Sequence, residues 1–251
     1  MGLVFQANKG LIRNYPPETT KVRTVVIEPG KDEAEVTLAA LDSREAEALL
    51  LKLDALAYDK INPAIAAIVA EEASNIFVAV RMVKAESKAS FAGILGVGAN
   101  LDVKWLRPKD VGGPLLNRDG AAGKGLYGGA SGGVFSWQQT FTANTPAALI
   151  PSQTMVEEAA VIHLGAIDPI DVPKLESIRF TLAGVATPAQ SLLPMVFRKG
   201  FTTDLPLVRF EKPIIVGPEK TQAVDVMPYI SGDSNFQLLS LLIAKAEALT
   251  L

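Results

Sequence analysis

The side chain best suited to acid–base or nucleophilic chemistry occurs once in this chain, as His163 in the apolar run AAVIHLGAI. A transition-metal site needs several His or Cys ligands, and the chain has no cysteine and no second histidine. A Ser–His–Asp triad stays formally open because serine and aspartate are plentiful, yet the sequence has no G-x-S-x-G nucleophile elbow. We therefore interpret His163 as a half-buried strand histidine with a structural role.

The segment GAAGKG, residues 120–125, invites comparison with a phosphate-binding loop. Such a loop continues from Gly-Lys into Ser or Thr at the start of a helix. Here Gly125 follows Lys124, and more glycine-rich sequence follows in place of a helix-forming run. The pattern favours a mobile or interface loop over a nucleotide site.

Four aspartates are the candidates for paired-carboxylate or calcium chemistry: Asp168, Asp171, Asp204 and Asp233. Aspartate beside proline or glycine is also ordinary turn chemistry, because its side chain bonds to the backbone of the turn. The segment SGDSN lacks the ligand spacing of an EF-hand. We expect no catalytic residue, no metal and no cofactor from these residues.

Aromatic residues flank the glycine-rich region, and they are Trp105, Tyr127, Phe135, Trp137 and Phe141. Together they could form a platform for a ligand such as a carbohydrate. The chain has only two tryptophans, so we favour the interpretation that these rings anchor the loop or a subunit contact.

Composition favours buried surface between protein chains. Apolar residues make up 49% of the 251 residues, and the mean hydropathy is +0.26. Membranes and subunit interfaces are the usual destinations for such a surplus. No run reaches the roughly 18 apolar residues of a membrane span, so the interface is favoured. The 24 basic and 27 acidic residues are spread along the chain, which predicts no direct binding of nucleic acid.

The N-terminal part is predicted to contain an arm, a hairpin and two helices. Residues 1–20 form an irregular arm containing Pro16-Pro17, and alternating residues predict paired strands at Lys21–Glu28 and Ala34–Leu41.

Helices are expected at Asp42–Tyr58 and Asn62–Glu72. Asp42 and Glu45 have the spacing of a capping box, and Asn62-Pro63 is typical of a helix start. Alternation predicts a strand at Ile76–Lys84.

Glycine dominates the middle of the chain, where twelve of the twenty glycines fall between residues 92 and 133. We predict a long loop over residues 107–155. Between Lys124 and Glu157 there is no Asp, Glu, Lys or Arg. A solvated loop normally carries charge, so we expect other protein to cover part of this one.

The C-terminal third reads as successive strands separated by Pro, Gly or polar turns. They are expected at Val156–Ala166, Ser177–Val185, Leu192–Phe197, Leu207–Phe210, Pro213–Val216 and Thr221–Met227. Phe236–Leu249 has the composition of a helix and the pattern of a strand buried on both faces, and we favour the strand. The prediction is a mainly β chain, an antiparallel jelly-roll-like sandwich over residues 21–251 with two inserted α-helices at residues 42–73.

The run RFEKPIIVGPEKTQAVDVMPYISGDSNFQLLSLLIAKAEAL resembles the late strands of jelly-roll coat proteins of icosahedral viruses. Jelly rolls also occur in lectins and cupins, but the histidine cluster of a cupin cannot form with one histidine. The resemblance implies a shell of many copies whose loops and arms make the contacts. The two helices depart from a minimal eight-stranded roll and would be an insertion or a layer against the sheet. The lack of a basic arm departs from coat proteins that package RNA directly, and an inner membrane, another protein layer or genome contact made by a different subunit fits it better.

Three functions follow, in order. The first is a structural subunit of a large homo-oligomer, a viral capsid protein located in the virion after assembly in the host cytoplasm. The second is a monomeric β-sandwich module that binds carbohydrate or a surface partner through the aromatic residues near 127–141. An enzyme, with a hydrolase as the least implausible kind, ranks last, and we predict that the chain is not one.

Overall fold

A computed structural model of the chain describes residues 41–59, 63–87, 100–107, 137–168, 172–195 and 207–245. In these ranges the chain is mainly β, with two antiparallel sheets packed as a sandwich and helices against one of them. The predicted arm at residues 1–20, almost all of the predicted hairpin and the segment 108–136 lie outside the described residues.

The two predicted helices are confirmed as α1, Ser43–Asp59, and α2, Pro63–Glu71. The predicted capping box also forms. The backbone N–H of Asp42 donates to Glu45 Oε2 at 2.9 Å, and that of Glu45 donates to Asp42 Oδ1 at 2.8 Å. Two of the N–H groups that every helix start leaves without an intrahelical partner are thereby satisfied.

The predicted strand at Ile76–Lys84 is wrong, because these residues belong to a third helix, α3, Ala73–Ser87. Their apolar side chains alternate, which suggested a strand, but Ile76, Ala79, Val80 and Val83 also repeat at helical spacing and are all buried. A helix that is buried over most of its circumference has apolar residues that match both the alternation of a strand and the spacing of a helix. Packing against the rest of the protein then determines which of the two structures forms. The helical region therefore extends past residue 73, and the helices number three among the described residues.

Helices α2 and α3 are separated by a bend of 61° at Glu72. No single helix in the described ranges is long and apolar enough to cross a membrane, although α2 and α3 taken together pass that test by length and composition.

In the described ranges ten strands follow the helices: β1 Leu101–Trp105, β2 Trp137–Phe141, β3 Ala147–Thr154, β4 Ala159–Ile167, β5 Leu175–Leu182, β6 Val185–Ala186, β7 Gln190–Ser191, β8 Leu207–Val216, β9 Thr221–Pro228 and β10 Gly232–Lys245. Sheet I has the order β1-β10-β4-β8, with β2 also paired to β10. Sheet II has the order β3-β9-β5-β6, with β7 also paired to β5. Every pairing is antiparallel.

The pairing of the eight main strands is nested. The first pairs with the last, β1 with β10, and the pairs β3 with β9, β4 with β8 and β5 with β6 follow inward. This is the order of a jelly roll, in which one long hairpin is rolled up so that its two sheets face each other. The predicted jelly-roll-like sandwich is confirmed, and in the described chain the helices precede the first strand of the roll.

Three strand predictions need correction. The predicted loop 107–155 contains β2 and β3, whose uncharged sequences lack the usual marks of a half-exposed strand. The two strands predicted at Leu207–Phe210 and Pro213–Val216 are one strand, β8, whose register shifts in the middle. Residues 193–195 form a helical turn where a strand was predicted at Leu192–Phe197. The prediction of a strand at Phe236–Leu249 is confirmed over the residues that belong to β10.

The described chain has two hydrophobic cores, one on each face of sheet I. The outer core lies between the helices and sheet I and includes Leu49, Ile76, Val103, Ile162 and Leu241. The inner core lies between the two sheets and includes Phe141, Phe180, Phe210, Val224 and Phe236. Because β4 and β10 contribute to both cores, their sequences are almost continuously apolar.

A bulge in the middle of β4 changes which residues face each core. The register with β10 shifts between Leu239 and Ser240, so that Leu239 lies opposite Gly165 and Ser240 opposite His163, with Leu164 as the extra residue. Gly165 must be glycine, because an added Cβ would collide with the backbone carbonyl oxygen of Val208.

Candidate functional site

His163 connects the two sheets through both of its ring nitrogens. It lies on β4 in sheet I, beside Ser240 on β10, and its Nδ1 is 2.7 Å from Ser240 Oγ. Its Nε2 is 2.9 Å from Oε1 of Gln222, which lies on β9 in sheet II. All three side chains have 0% exposure. The sequence predicted a half-buried histidine, and the structure corrects this to a fully buried one.

The partners determine which nitrogen carries the proton. Gln222 Oε1 can only accept, so Nε2–H donates to it, and Nδ1 accepts from the hydroxyl of Ser240. The amide nitrogen of Gln222 in turn lies 4.0 Å from the sulfur of Met155. The ring of Phe180 lies 4.9 Å from the imidazole, centroid to centroid. Every polar atom of the imidazole therefore has a neutral partner.

Burial lowers the pKa of His163 from 6.5 to about 4, against a smaller raising effect of the hydrogen bond with Gln222. Desolvation disfavours the charged form, and no carboxylate in contact with the ring offsets it. The imidazole is therefore neutral near pH 7.

The trio contains a serine and a histidine in hydrogen-bond contact, as a nucleophilic site would. A catalytic triad needs a carboxylate on the other ring nitrogen, and here that position is held by the amide of Gln222. Ser240 Oγ is also closed to solvent, so the arrangement offers a substrate no access to this hydroxyl. What it does is satisfy polar groups inside the inner core and join β4 to β9.

The described aspartates are not brought together. Asp168 is buried at the end of β4 and accepts a hydrogen bond from Ser234 Oγ at 3.1 Å. Asp233 is exposed and accepts one from Thr140 Oγ1. Asp171 and Asp204 lie outside the described residues. Within the ranges that the structure describes, no group of three His, Cys, Asp or Glu side chains could hold a metal ion.

Two of the candidate aromatic residues serve as anchors in different cores. Trp105 is buried in the outer core, where its Nε1–H donates to the carbonyl oxygen of Leu56 at 3.1 Å. Phe141 is buried in the inner core. Trp137 lies on β2, with its backbone opposite Phe236, and neither described ring contributes to an exposed platform.

Tyr127, Phe135 and the segment 120–125 lie outside the described residues. The ring of Trp137 is also outside what the structure describes. The prediction of a ligand platform therefore stays untested for Tyr127, Phe135 and Trp137, as does the prediction of a loop at residues 120–125.

The surface around β2 and β3 carries a strip without charged side chains. We define the uncharged strip by its exposed residues, which are Thr140, Thr142, Asn144, Thr145, Pro146, Ala148, Pro151 and Ser152. Among the described strands, β3 pairs only with β9 and is an edge of sheet II. Charge begins at the border of the strip, where Asp225 lies opposite Ala148 and the exposed Asp233 lies opposite Thr140.

Ion pairs at the outer core were not foreseen from the sequence. Arg209 of β8 pairs with the exposed Glu71 and with Glu72, whose side chain has 0% exposure. Its Nε donates to Glu72 Oε1 at 2.8 Å, and Asn75 Nδ2 donates to Glu72 Oε2 at 2.7 Å. The buried carboxylate at the bend between α2 and α3 is thereby held by strand and helix alike.

Gln222 and Ser240 were also missed, although the sequence holds a signal for both. Gln222 occupies an inward position in the alternation that continues with Val224 and Val226, and Ser240 is the one polar residue in the run LLSLLIA. A polar residue at an inward position requires a buried partner. Which partner it finds depends on the packing of one sheet on the other.

No protein-family model matches this chain, and no curated protein is significantly similar to it.

Proposed function

We propose that the chain is a structural subunit of a large homo-oligomeric assembly, a coat protein of a viral capsid. The observation that carries this proposal is the uncharged strip, which runs from the end of β2 to β3, an edge strand of sheet II. The jelly-roll order of the strands supports it, because coat proteins are one of the classes that use this fold. The partners are further copies of the chain and other shell proteins, and the location is the virion.

The strip departs from what a solvated surface normally contains. Soluble proteins carry charge on roughly a quarter to a third of their surface positions, and none of the eight exposed residues of the strip is charged. Depletion of charge is also the compositional mark of an interface core. Contact with another copy over the part of the strip away from Asp225 and Asp233 would remove uncharged surface from water.

The position of β3 at the edge of sheet II also supports contact with another copy. An edge strand offers unpaired backbone groups to any neighbour, and monomeric proteins usually protect such edges with charge. β3 contains Pro151, which removes one backbone donor, and its register with β9 shifts twice, but it has no charged side chain. An edge without charge is consistent with a surface that a second copy covers.

The first measurement is the mass of the native particle, by light scattering after gel filtration and negative-stain imaging of the same peak. The proposal expects closed shells or sheets of many copies. A protein that stays at 26.6 kDa under all conditions tested would contradict it and favour the monomeric binding module.

Two matched substitutions then locate the contact. Ser152→Lys places a charge in the uncharged strip, away from Asp225, and Ala186→Lys places the same charge on β6, at the opposite edge of sheet II. We expect Ser152→Lys to reduce the assembled fraction at least tenfold, since each buried unpaired charge is costly, and Ala186→Lys to leave it nearly unchanged. Equal effects of the two variants would contradict a contact through the strip.

A further inference from the structure

We propose that His163, Ser240 and Gln222 form an acid-sensitive lock that holds the two sheets of the sandwich together at neutral pH and releases them in acid. The lock belongs to the folded chain itself, so the inference does not depend on whether the chain assembles.

The lock spans the sandwich because its members come from three strands in two sheets. His163 and Ser240 lie side by side in sheet I, and Gln222 reaches the ring from sheet II. Phe180 of β5 in sheet II packs on the imidazole, and it also meets Phe210 of β8 edge to face, at 5.5 Å between ring centroids. The histidine is thus the polar centre of the inner core.

Protonation of the imidazole turns Nδ1 from a hydrogen-bond acceptor into a donor. The added proton sits on Nδ1, which at neutral pH accepts from Ser240, so that hydroxyl has to turn away and donate elsewhere. The charge itself stays among apolar side chains, and a buried charge without a counter-ion is costly. The chain avoids that cost by opening the inner core to water.

No charged side chain of the described strands faces the ring to offset this charge. Asp225 and Arg179 lie on the outer face of sheet II and are opposite each other in register. Arg209 of β8 points to the helices, where it pairs with Glu72.

The remaining charged residues on the strands around the ring are exposed or far along their strands: Glu176, Glu211, Lys212, Asp233 and Lys245. Asp168 follows β4 five residues from His163, which is about 16 Å along a strand, and it accepts from Ser234.

The direction of the pH effect follows from the proton balance. Above pH 6.5 the histidine is neutral in both the folded and the unfolded chain, so the full stability is present. Below pH 6.5 the unfolded chain takes up a proton that the folded chain, with a pKa of about 4, refuses. As the pH falls below 6.5, the unfolding equilibrium constant therefore rises by nearly tenfold per pH unit and is about 160-fold higher at pH 4.

Because the chain has a single histidine, an NMR titration of the wild-type protein can test the proposal without a variant. Histidine labelled with ¹³C and ¹⁵N gives one imidazole signal in NMR, because the chain has no other histidine. We expect the neutral Nε2–H form to persist to below pH 5, and the charged form to appear only together with the loss of native ring signals such as that of Phe180. A ring that becomes charged near pH 6.5 inside an intact fold would overturn the proposal.

A variant separates the histidine from other acid-sensitive groups. Urea unfolding of wild type and His163→Gln is compared between pH 7 and pH 4.5, with Asp233→Asn as a control that removes an exposed carboxylate. As the pH falls below 6.5, the unfolding constant of His163→Gln divided by that of wild type should decrease nearly tenfold per pH unit. The unfolding constant of Asp233→Asn should change with pH as steeply as that of wild type. A ratio that stays constant with pH overturns the proposal, and if His163→Gln does not fold, the NMR titration decides.

Discussion

The two faces of sheet I are packed by opposite electrostatic means. The outer core is bordered by ion pairs that join helices to strands, including Arg209 with Glu72 and Lys52 with Asp102. The inner core has only neutral polar groups at its centre, those of His163, Ser240 and Gln222. The difference follows from access to water, because the helix layer leaves Arg209 and Lys52 partly exposed while the sandwich closes completely over His163.

This comparison indicates how each core should respond to change. A charged partner removed from the outer core leaves a buried carboxylate, which is expensive in free energy. A neutral partner removed from the inner core costs only an unmade hydrogen bond at neutral pH. The inner core is instead the one that acid destabilises, because protonation gives its histidine a charge that water cannot reach to solvate.

The largest effect is expected from Arg209→Ala. This variant leaves the carboxylate of Glu72, which has 0% exposure, without its guanidinium, and breaking a buried pair in this way costs about 3–5 kcal/mol. Urea unfolding at pH 7 measures the change in the free energy of unfolding.

Glu71 supplies the matched control, because it pairs with the same arginine but its side chain is 57% exposed. Glu71→Gln should change the free energy of unfolding by less than about 1 kcal/mol. If Arg209→Ala costs no more than Glu71→Gln, the buried pair does not stabilise the junction of α2 and α3 with β8.

A second prediction compares Gly165 of β4 with Gly217, which directly follows β8. An added Cβ at Gly165 would collide with the backbone oxygen of Val208, whereas at Gly217 it would meet the end of the Met82 side chain. Backbone in a paired strand cannot move aside, but a methionine can adopt another rotamer. We expect Gly165→Ala to cost about 2–3 kcal/mol and Gly217→Ala about 1 kcal/mol or less, both measured by thermal and urea unfolding. The reverse order would mean that the bulge in β4 adapts more easily than the outer core.

The sequence predicted those helices and strands whose ends are determined by nearby residues. The capping box of Asp42 and Glu45 located α1, and the turns between apolar runs located β4, β5, β8 and β9. It failed for α3, because a helix buried on several sides satisfies a period of two as well as a helical period. It also failed for β2 and β3, where uncharged residues beside a glycine-rich run read as a loop.

The site was less predictable than the fold. A lone histidine in an apolar strand indicated a structural role, and that interpretation agrees with its contacts. Its partners lie 77 and 59 residues away along the chain, and no local pattern links positions at such distances. Their pairing depends on the nested strand order, which brings β10 beside β4 and places β9 across from them.

The smallest effect is expected from Ser240→Ala, which removes the hydroxyl that donates to His163 Nδ1. A buried acceptor without a donor costs about 1–3 kcal/mol, and the small cavity left by the hydroxyl adds little. Thr154→Val is the control, since it removes one hydroxyl of a pair with Thr221 that is only partly buried, and it should cost about 0.5 kcal/mol or less. Both are measured by urea unfolding at pH 7.5, where His163 is neutral in the folded and unfolded chain and acid contributes nothing. If Ser240→Ala lowers the free energy of unfolding no more than Thr154→Val, the hydroxyl does not stabilise the position of the ring. The neutral hydrogen bonds at the centre of the inner core would then not stabilise it in the way that the ion pairs stabilise the border of the outer core.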